Sequence, residues 1–160
     1  MNKTLKTSLA ILLTFIVTAC QMGMTRNADG SLTIETKISQ QELQDVISAS
    51  IADPLVTNVT VSLQSGYALV TGQRKRLNDN SKTDLLTFRL DLSVSNGQPS
   101  ATITGAQIDG VAIEQNRVDN WNQTIANRLA NFGSRSKNAT LQAISVTPEQ
   151  VTMTWNVAKK

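Results

Sequence analysis

The chain contains 160 residues, of which 40% are hydrophobic and 17% are charged, with a formal net charge of +3, one cysteine and no histidine. Without histidine it cannot form a Ser-His-Asp or Cys-His catalytic centre, and one cysteine cannot form an intrachain disulfide or a cysteine-based zinc site. We therefore expect one non-enzymatic domain that buries its own core and needs no metal and no cofactor.

The N-terminal region has the layout of a bacterial lipoprotein signal. Two lysines precede an apolar run at residues 9–17, which is much shorter than the roughly 20 residues of a membrane-spanning helix. Residues 17–20 (VTAC) match a lipobox, and Cys20 is the single cysteine of the chain. We predict that residues 1–19 are a signal peptide and that acylated Cys20 binds membrane lipid. The alternatives are an ordinary secreted protein cleaved nearby or a buried free cysteine.

Removal of this signal would leave thirteen basic and twelve acidic residues, a net charge of about +1, so binding to nucleic acid is not expected. The residue after Cys20 is Gln21 and not aspartate, which favours the periplasmic face of the outer membrane if the source has two membranes. Residues 20–30 are polar and lack apolar periodicity, which predicts a flexible tether to a single domain at residues 31–160.

The first half of this domain begins with a short strand from Leu32, followed by a helix. Residues 39–42 (SQQE) form a capping box, and the helix must end before Pro54. From Thr57 the apolar residues alternate with polar ones, and Ser65-Gly66 supplies a turn, so the pattern predicts a β-hairpin.

The second half contains a long strand at residues 86–94, and Asn96-Gly97 predicts a type I′ turn after it. A change of parity around Gly105 predicts a β-bulge in the returning strand. Helical spacing then predicts a helix from Glu114 to Phe132, with Gly133 as its C-terminal cap. A final hairpin covers residues 141–157.

These elements predict an α+β fold. Strands with one polar and one apolar face would form a curved antiparallel sheet of about six strands, wrapped on one face around two helices, of which one is long.

The order of the elements resembles that of a known family. A lipobox, a helix that opens ISQQEL, the strand pair VTVSL and YALVTG, the LDLSVSNG hairpin and the stretch TGAQIDG precede a long helix and a closing hairpin. This arrangement, from Ile38 to Val157, is similar to the small bacterial lipid-binding domains of LmeA and YceB type, which are related to the tubular lipid-binding (TULIP) superfamily. The resemblance implies a curved sheet around a long helix and lipid binding or transfer at the cell envelope.

Apolar side chains on the long strand, the long helix and the last strand are candidates for the wall of a lipid-binding groove, because an acyl chain needs a continuous apolar surface. The alternative is that they form an ordinary core. The candidates are Phe88, Leu90, Leu92, Trp121, Ile125, Leu129, Met153 and Trp155.

Arg74, Lys75 and Arg76 are candidates for binding an anionic headgroup or membrane surface, with a solvated loop as the alternative. Taken together, these features predict a membrane-anchored lipoprotein that binds, and in one version transfers, a lipid or another amphipathic molecule between its sheet and long helix. The alternative function is a non-enzymatic scaffold or assembly lipoprotein that binds another envelope protein.

Overall fold

The structure is a computed structural model that describes residues 22–79, 81–133 and 138–159. Within these residues, two antiparallel sheets and two helices surround one apolar core. The strands are β1 (Met22–Arg26), β2 (Leu32–Ser39), β3 (Val56–Gln64), β4 (Tyr67–Lys75), β5 (Thr83–Ser95), β6 (Gln98–Ile108), β7 (Val111–Ala112), β8 (Ala139–Val146) and β9 (Gln150–Val157). The helices are α1 (Gln40–Ile51) and α2 (Gln115–Gly133).

The four-stranded sheet has the order β1-β2-β9-β8 and joins the start of the domain to its last hairpin. Thr36 of β2 lies opposite Met153 of β9, and Ile38 lies opposite Val151. All four side chains are buried. This face of the sheet therefore forms one wall of the core.

Strand β1 and the turn after it correct the prediction of a flexible tether for residues 22–30, and residues 20 and 21 lie outside the described residues. Met22–Arg26 pairs antiparallel with β2 over its whole length. The amide of Asn27 donates to the carbonyl of Ser31 at 2.9 Å, and the Asp29 carboxylate accepts from the Ser31 amide at 2.9 Å, so the turn after β1 is also ordered by hydrogen bonds. Backbone pairing at a sheet edge does not require apolar periodicity, and the sequence pattern therefore missed this strand.

The five-stranded sheet has the order β3-β4-β5-β6-β7. The predicted turn between β5 and β6 is confirmed, because Asn96 and Gly97 have φ values of 51° and 71°, as a type I′ turn requires. The predicted bulge is also confirmed: Gly105, with φ of 63°, and Ala106 together lie opposite the single residue Phe88 of β5.

Helix α1 begins at the predicted capping box. The Ser39 hydroxyl accepts from the Glu42 amide at 3.2 Å, and the Glu42 carboxylate accepts from the Ser39 amide at 2.8 Å. The helix ends at Ile51, and Ala52 adopts the left-handed conformation with φ of 48°. The chain thus leaves the helix before Pro54, as predicted.

The two helices lie antiparallel and cover one face of the five-stranded sheet. The Trp121 indole of α2 donates to the Ile51 carbonyl of α1 at 3.2 Å, while Arg128, two turns further along α2, donates to the Ala49 carbonyl at 3.4 Å. Their buried faces consist of Leu43, Val46, Ile47 and Ile51 of α1 and Val118, Trp121, Ile125 and Leu129 of α2. Residues on the other face of the sheet, such as Thr71 and Arg89, are exposed.

The predicted α+β class is confirmed, and the number of strands is corrected from about six in one sheet to nine in two sheets among the described residues. Seven of the nine strands correspond to strand segments in the sequence pattern, and the other two were missed because β1 lacks apolar alternation and β7 has two residues. The division into two sheets arises because β2 pairs with β9, more than 110 positions away in the chain. No local pattern reveals such a long-range pairing.

Candidate functional site

The structure brings the predicted groove residues together, but as a packed core. Seven of them are at most 3% exposed, and Leu92 is half-buried against the same core. The rings of Phe88 and Trp121 have centroids 6.0 Å apart at an interplanar angle of 35°, as expected for packed aromatic neighbours. Side chains therefore occupy the space in which an acyl chain was predicted to lie.

Two polar atoms are buried in this core without a hydrogen-bond partner among the described residues. They are the Thr36 hydroxyl and the Trp155 indole nitrogen. The strand pairing places both residues on the inner face of the four-stranded sheet, because Thr36 and Ile34 are two residues apart on β2 and share a face, and Ile34 lies opposite Trp155. An unsatisfied buried group of this kind costs about 1–3 kcal/mol.

The sheet–helix interior is the part of the apolar core that lies between the sheets and α2. We call its end around Trp155 and Gly133 the closed end. A Cβ atom added to Gly133 would overlap the Trp155 indole. Gly133 is the last residue of α2 and does not have a positive φ. The prediction that it is a left-handed C-terminal cap is therefore wrong; glycine is required here so that the helix can approach the indole ring.

We call the opposite end of α2, around residues 108–117, the open end. A cavity of about 620 Å³ lies here. Its apolar lining is Ile108, Val111, Ala112 and Ile113, and its charged lining is Arg76, Asp84, Asp109, Glu114 and Arg117. Ile108 and Ile113 also pack against the apolar core. The core thus reaches the protein surface at the floor of this cavity.

Asp53 forms the first of two ion-pair groups at the open end. Its carboxylate contacts Arg117 of α2 at 2.5 Å and Arg74 of β4 at 3.1 Å, and its side chain is 9% exposed. Burial raises the pKa of this carboxyl, but the Leu55 amide and the two guanidinium groups outweigh burial, so the pKa lies below its usual value. Asp53 therefore ties the loop after α1 to both α2 and the sheet.

The second group is built around Arg76, which contacts Asp84 at 2.5 Å and Asp109 at 3.3 Å. The other carboxylate oxygen of Asp109 accepts from the Leu85 amide at 2.7 Å. The hydrogen bond from this amide is the main cause that lowers the pKa of Asp109, followed by hydrogen bonding with Asp84 and then with Arg76. The turn between β6 and β7 is thereby fixed against the start of β5.

The three predicted headgroup-binding cations do not form one anion site. Arg74 pairs with Asp53 and Arg76 pairs with two aspartates, whereas Lys75 is exposed. The sequence showed the cations as neighbours but did not show these carboxylates, which come from three other segments. An arginine already paired in this way has less free charge for an anionic ligand.

Three exposed aliphatic side chains lie in segments that border the open end. Leu77, Leu85 and Val111 are 79%, 53% and 71% exposed. Of these, Val111 lines the cavity, and Leu77 follows Arg76 of the second ion-pair group. Leu85 lies between Asp84, which lines the cavity, and the buried Leu86, so its side chain points to the other face of the sheet. The sequence analysis did not identify them because Leu77 lies in a loop, Leu85 precedes the predicted strand and Val111 lies in the two-residue strand β7.

Cys20 and the predicted signal peptide lie outside the described residues. Neither helix in the described part of the chain has the length and apolarity needed to cross a bilayer. In the same residues, no three acidic, cysteine or histidine side chains are grouped closely enough to hold a metal ion.

Comparison of the chain with protein-family models gives no matching family, and comparisons with characterised proteins and with solved structures give no match either.

Proposed function

We propose that the chain is a membrane-anchored envelope lipoprotein, held by acylated Cys20, whose domain binds a lipid or another amphipathic molecule without catalysing a reaction. The binding site is the cavity at the open end. The observation that carries this proposal is the floor of that cavity, where Ile108 and Ile113 belong both to the surface and to the core.

The size and lining of the cavity fit a ligand with an aliphatic part. Ligand pockets in proteins typically have volumes of about 300–1,000 Å³ and combine apolar walls with a few polar groups. Here the aliphatic part would contact Val111 and Ile113, next to the first turn of α2. This position moves the predicted site from the middle of the sheet–helix interior, which is filled, to its end.

The charged rim favours a polar but not strongly anionic headgroup. Two arginines and three carboxylates line the cavity, and Arg76 and Arg117 are already held by aspartates. The arginines can still donate their remaining N–H groups, since a guanidinium carries five donors. A headgroup with several acceptor oxygens and low net charge satisfies this arrangement best.

The test is mass spectrometry, under native conditions and after organic extraction, on residues 21–160, which lack the acylation site Cys20 and are purified without detergent. Val111→Asp places a carboxylate in the cavity, and Leu77→Asp is its matched control because Leu77 is equally exposed but does not line the cavity. We expect a copurified lipid or uptake of a fluorescent fatty acid, weakened at least tenfold by Val111→Asp and unchanged by Leu77→Asp. Absence of any lipid and of fatty-acid uptake would refute the proposal.

A second candidate function is a scaffold or assembly lipoprotein that binds another envelope protein. The observation in its favour is the exposure of three aliphatic side chains, Leu77, Leu85 and Val111, which a protein partner would cover. Cross-linking in membranes distinguishes the two candidates. Recovery of one defined protein, lost equally in Val111→Asp and Leu77→Asp and without copurified lipid, would favour the scaffold.

A further inference from the structure

Three of the four lateral sheet edges in the described residues form hydrogen bonds with a helix or a hairpin tip. On β3, the amides of Val61 and Leu63 donate to the side chains of Gln44 and Gln40 of α1 at 3.2 and 3.4 Å. On β6, the Ile103 amide donates to Asn122 of α2 at 2.8 Å. Helix side chains thus bind some of the outward amides on both long edges of the five-stranded sheet.

The edge at β8 is closed by the tips of two hairpins. The Leu141 amide donates to the Gly97 carbonyl at 2.8 Å, and the Val146 carbonyl accepts from the Gly66 amide at 2.9 Å. The fourth edge, the outer side of β1, has no neighbouring strand among the described residues. An uncovered edge presents a row of backbone donors and acceptors that fits another extended strand.

The hydrogen bond at the end of β1 shows which residues face this edge. The Asn27 amide points toward β2, because it donates to the Ser31 carbonyl at 2.9 Å. Backbone groups of alternate residues in a strand point to opposite sides. The amides and carbonyls of Met22, Met24 and Arg26 therefore point away from β2.

We infer that β1 pairs antiparallel with β1 of a second copy of this chain, across a two-fold axis at Met24. An antiparallel pair of identical strands is self-complementary, and pairs whose backbone groups face each other exchange two hydrogen bonds. With the axis at Met24, all five described residues of β1 find a partner. Any other register that aligns the outward groups pairs fewer of the described residues.

The side chains are compatible with this arrangement. Met24 is 63% exposed and would lie beside its counterpart, so that an apolar side chain gains an apolar neighbour. Arg26 is the single charged residue of β1. In this register each Arg26 lies opposite Met22 of the second copy, and the two arginines are at opposite ends of the pair, so like charges do not oppose each other.

A five-residue strand pair buries little surface, and it is expected to be weak in dilute solution. Confinement on a membrane raises the effective concentration of the copies. The pairing itself rests on the backbone geometry of β1 and does not depend on the proposed ligand site. With the two-fold axis along the membrane normal, both N-terminal ends of β1 lie at the same height above one leaflet.

Disulfide cross-linking of the full chain in membranes tests this inference. In Met24→Cys the two Cα atoms would be about 5.5 Å apart, within the range of roughly 4.4–6.8 Å that a disulfide allows. In the control Thr25→Cys they would be about 8 Å apart, which is too far. We expect Met24→Cys to give at least tenfold more covalent dimer than Thr25→Cys, relative to the parent chain with Cys20 alone. Equal yields, or no dimer from either, would overturn the inference.

A second variant, Met24→Pro, removes the outward-pointing N–H group of residue 24 and leaves the pairing of β1 with β2 in place. Proline is tolerated where its missing N–H faces away from the neighbouring strand, so Met24→Pro should fold. Stepwise photobleaching of the fluorescent full chain in supported bilayers counts copies per particle. We expect the two-copy fraction to fall severalfold in Met24→Pro and to remain unchanged in Leu77→Pro. An unchanged fraction in a folded Met24→Pro chain would overturn the inference.

Discussion

The two ends of the sheet–helix interior are built from the same kinds of apolar residue but differ in how closely they are packed. At the closed end, Gly133 allows α2 to approach the fully buried Trp155. At the open end, Ile108 and Ile113 connect the core to a cavity, and Val111 is 71% exposed. The difference is one of packing: the closed end is filled by side chains, whereas the open end is held in place by ion pairs.

Because of this contrast, mutations at the two ends of one continuous core should affect different properties, namely stability at the closed end and ligand binding at the open end. Mutations at the closed end remove packed atoms and should act mainly on the free energy of unfolding. Mutations in the cavity wall of the open end remove surface that water already reaches, so they should act mainly on ligand binding. The ion pairs of Asp53 are the intermediate case, since they are buried but lie beside the cavity.

The largest expected effect is that of Trp155→Ala at the closed end. Removing a fully buried indole leaves a cavity between α2 and the four-stranded sheet. We expect the free energy of unfolding to fall by about 3–5 kcal/mol, measured by urea denaturation. A loss below about 1 kcal/mol would show that the closed end is not packed as described.

Gly133→Ala supplies an internal control for this region. Glycine to alanine inside a helix normally stabilises a protein by roughly 0.5–1 kcal/mol, but here the new methyl group would overlap Trp155. We expect destabilisation of about 1–3 kcal/mol in the parent chain and a smaller loss in the Trp155→Ala background. Equal losses in both backgrounds would contradict a direct contact between the two residues.

The next effect is that of Asp53→Asn at the open end. The variant removes the charge that holds Arg74 and Arg117, and both arginines are partly exposed, which limits the loss. We expect the free energy of unfolding to decrease by about 1–2 kcal/mol at neutral pH. Lys82→Gln, which affects the exposed pair with Asp79, is the control and should change it by less than about 0.5 kcal/mol.

The Asp53 contribution should also depend on pH. The pKa of Asp53 is lower in the folded chain than its ordinary value of 3.8, so the unfolded chain binds the proton first as pH falls. The stabilisation is therefore fully present above 3.8 and is lost as pH falls through the lower folded-state pKa. The difference between the parent chain and Asp53→Asn should shrink over this acidic range. A constant difference would contradict the assigned ion pairs.

Much of the fold could be predicted because local signals were strong. The Ser39 capping box, the Asn96-Gly97 turn and the Gly105 bulge depend on neighbouring residues, and all three are confirmed. The candidate site could not be predicted in the same way. Asp53 and Asp109 reach their arginine partners only after folding, and whether an apolar side chain fills a groove or lines it depends on packing across the whole core.

A smaller effect, of opposite sign, is expected for Thr36→Val. The Thr36 hydroxyl is buried without a hydrogen-bond partner among the described residues, and valine has nearly the same shape without the polar atom. We expect stabilisation by about 1 kcal/mol, measured as a higher urea midpoint with an unchanged slope. Destabilisation would mean that the hydroxyl does have a partner in solution, such as a buried water.

The smallest expected effect on stability is that of Leu77→Ala, which is compared with Leu129→Ala. Leu77 is 79% exposed beside the open end, whereas Leu129 is fully buried on α2. Truncation of the exposed leucine should change the free energy of unfolding by less than about 0.5 kcal/mol, and truncation of the buried one should cost about 2–5 kcal/mol. If Leu77→Ala instead cost more than about 1 kcal/mol, its side chain would have to pack against the domain in solution. Leu77 would then be less exposed than the structure shows, and the scaffold candidate would lose part of the observation that favours it.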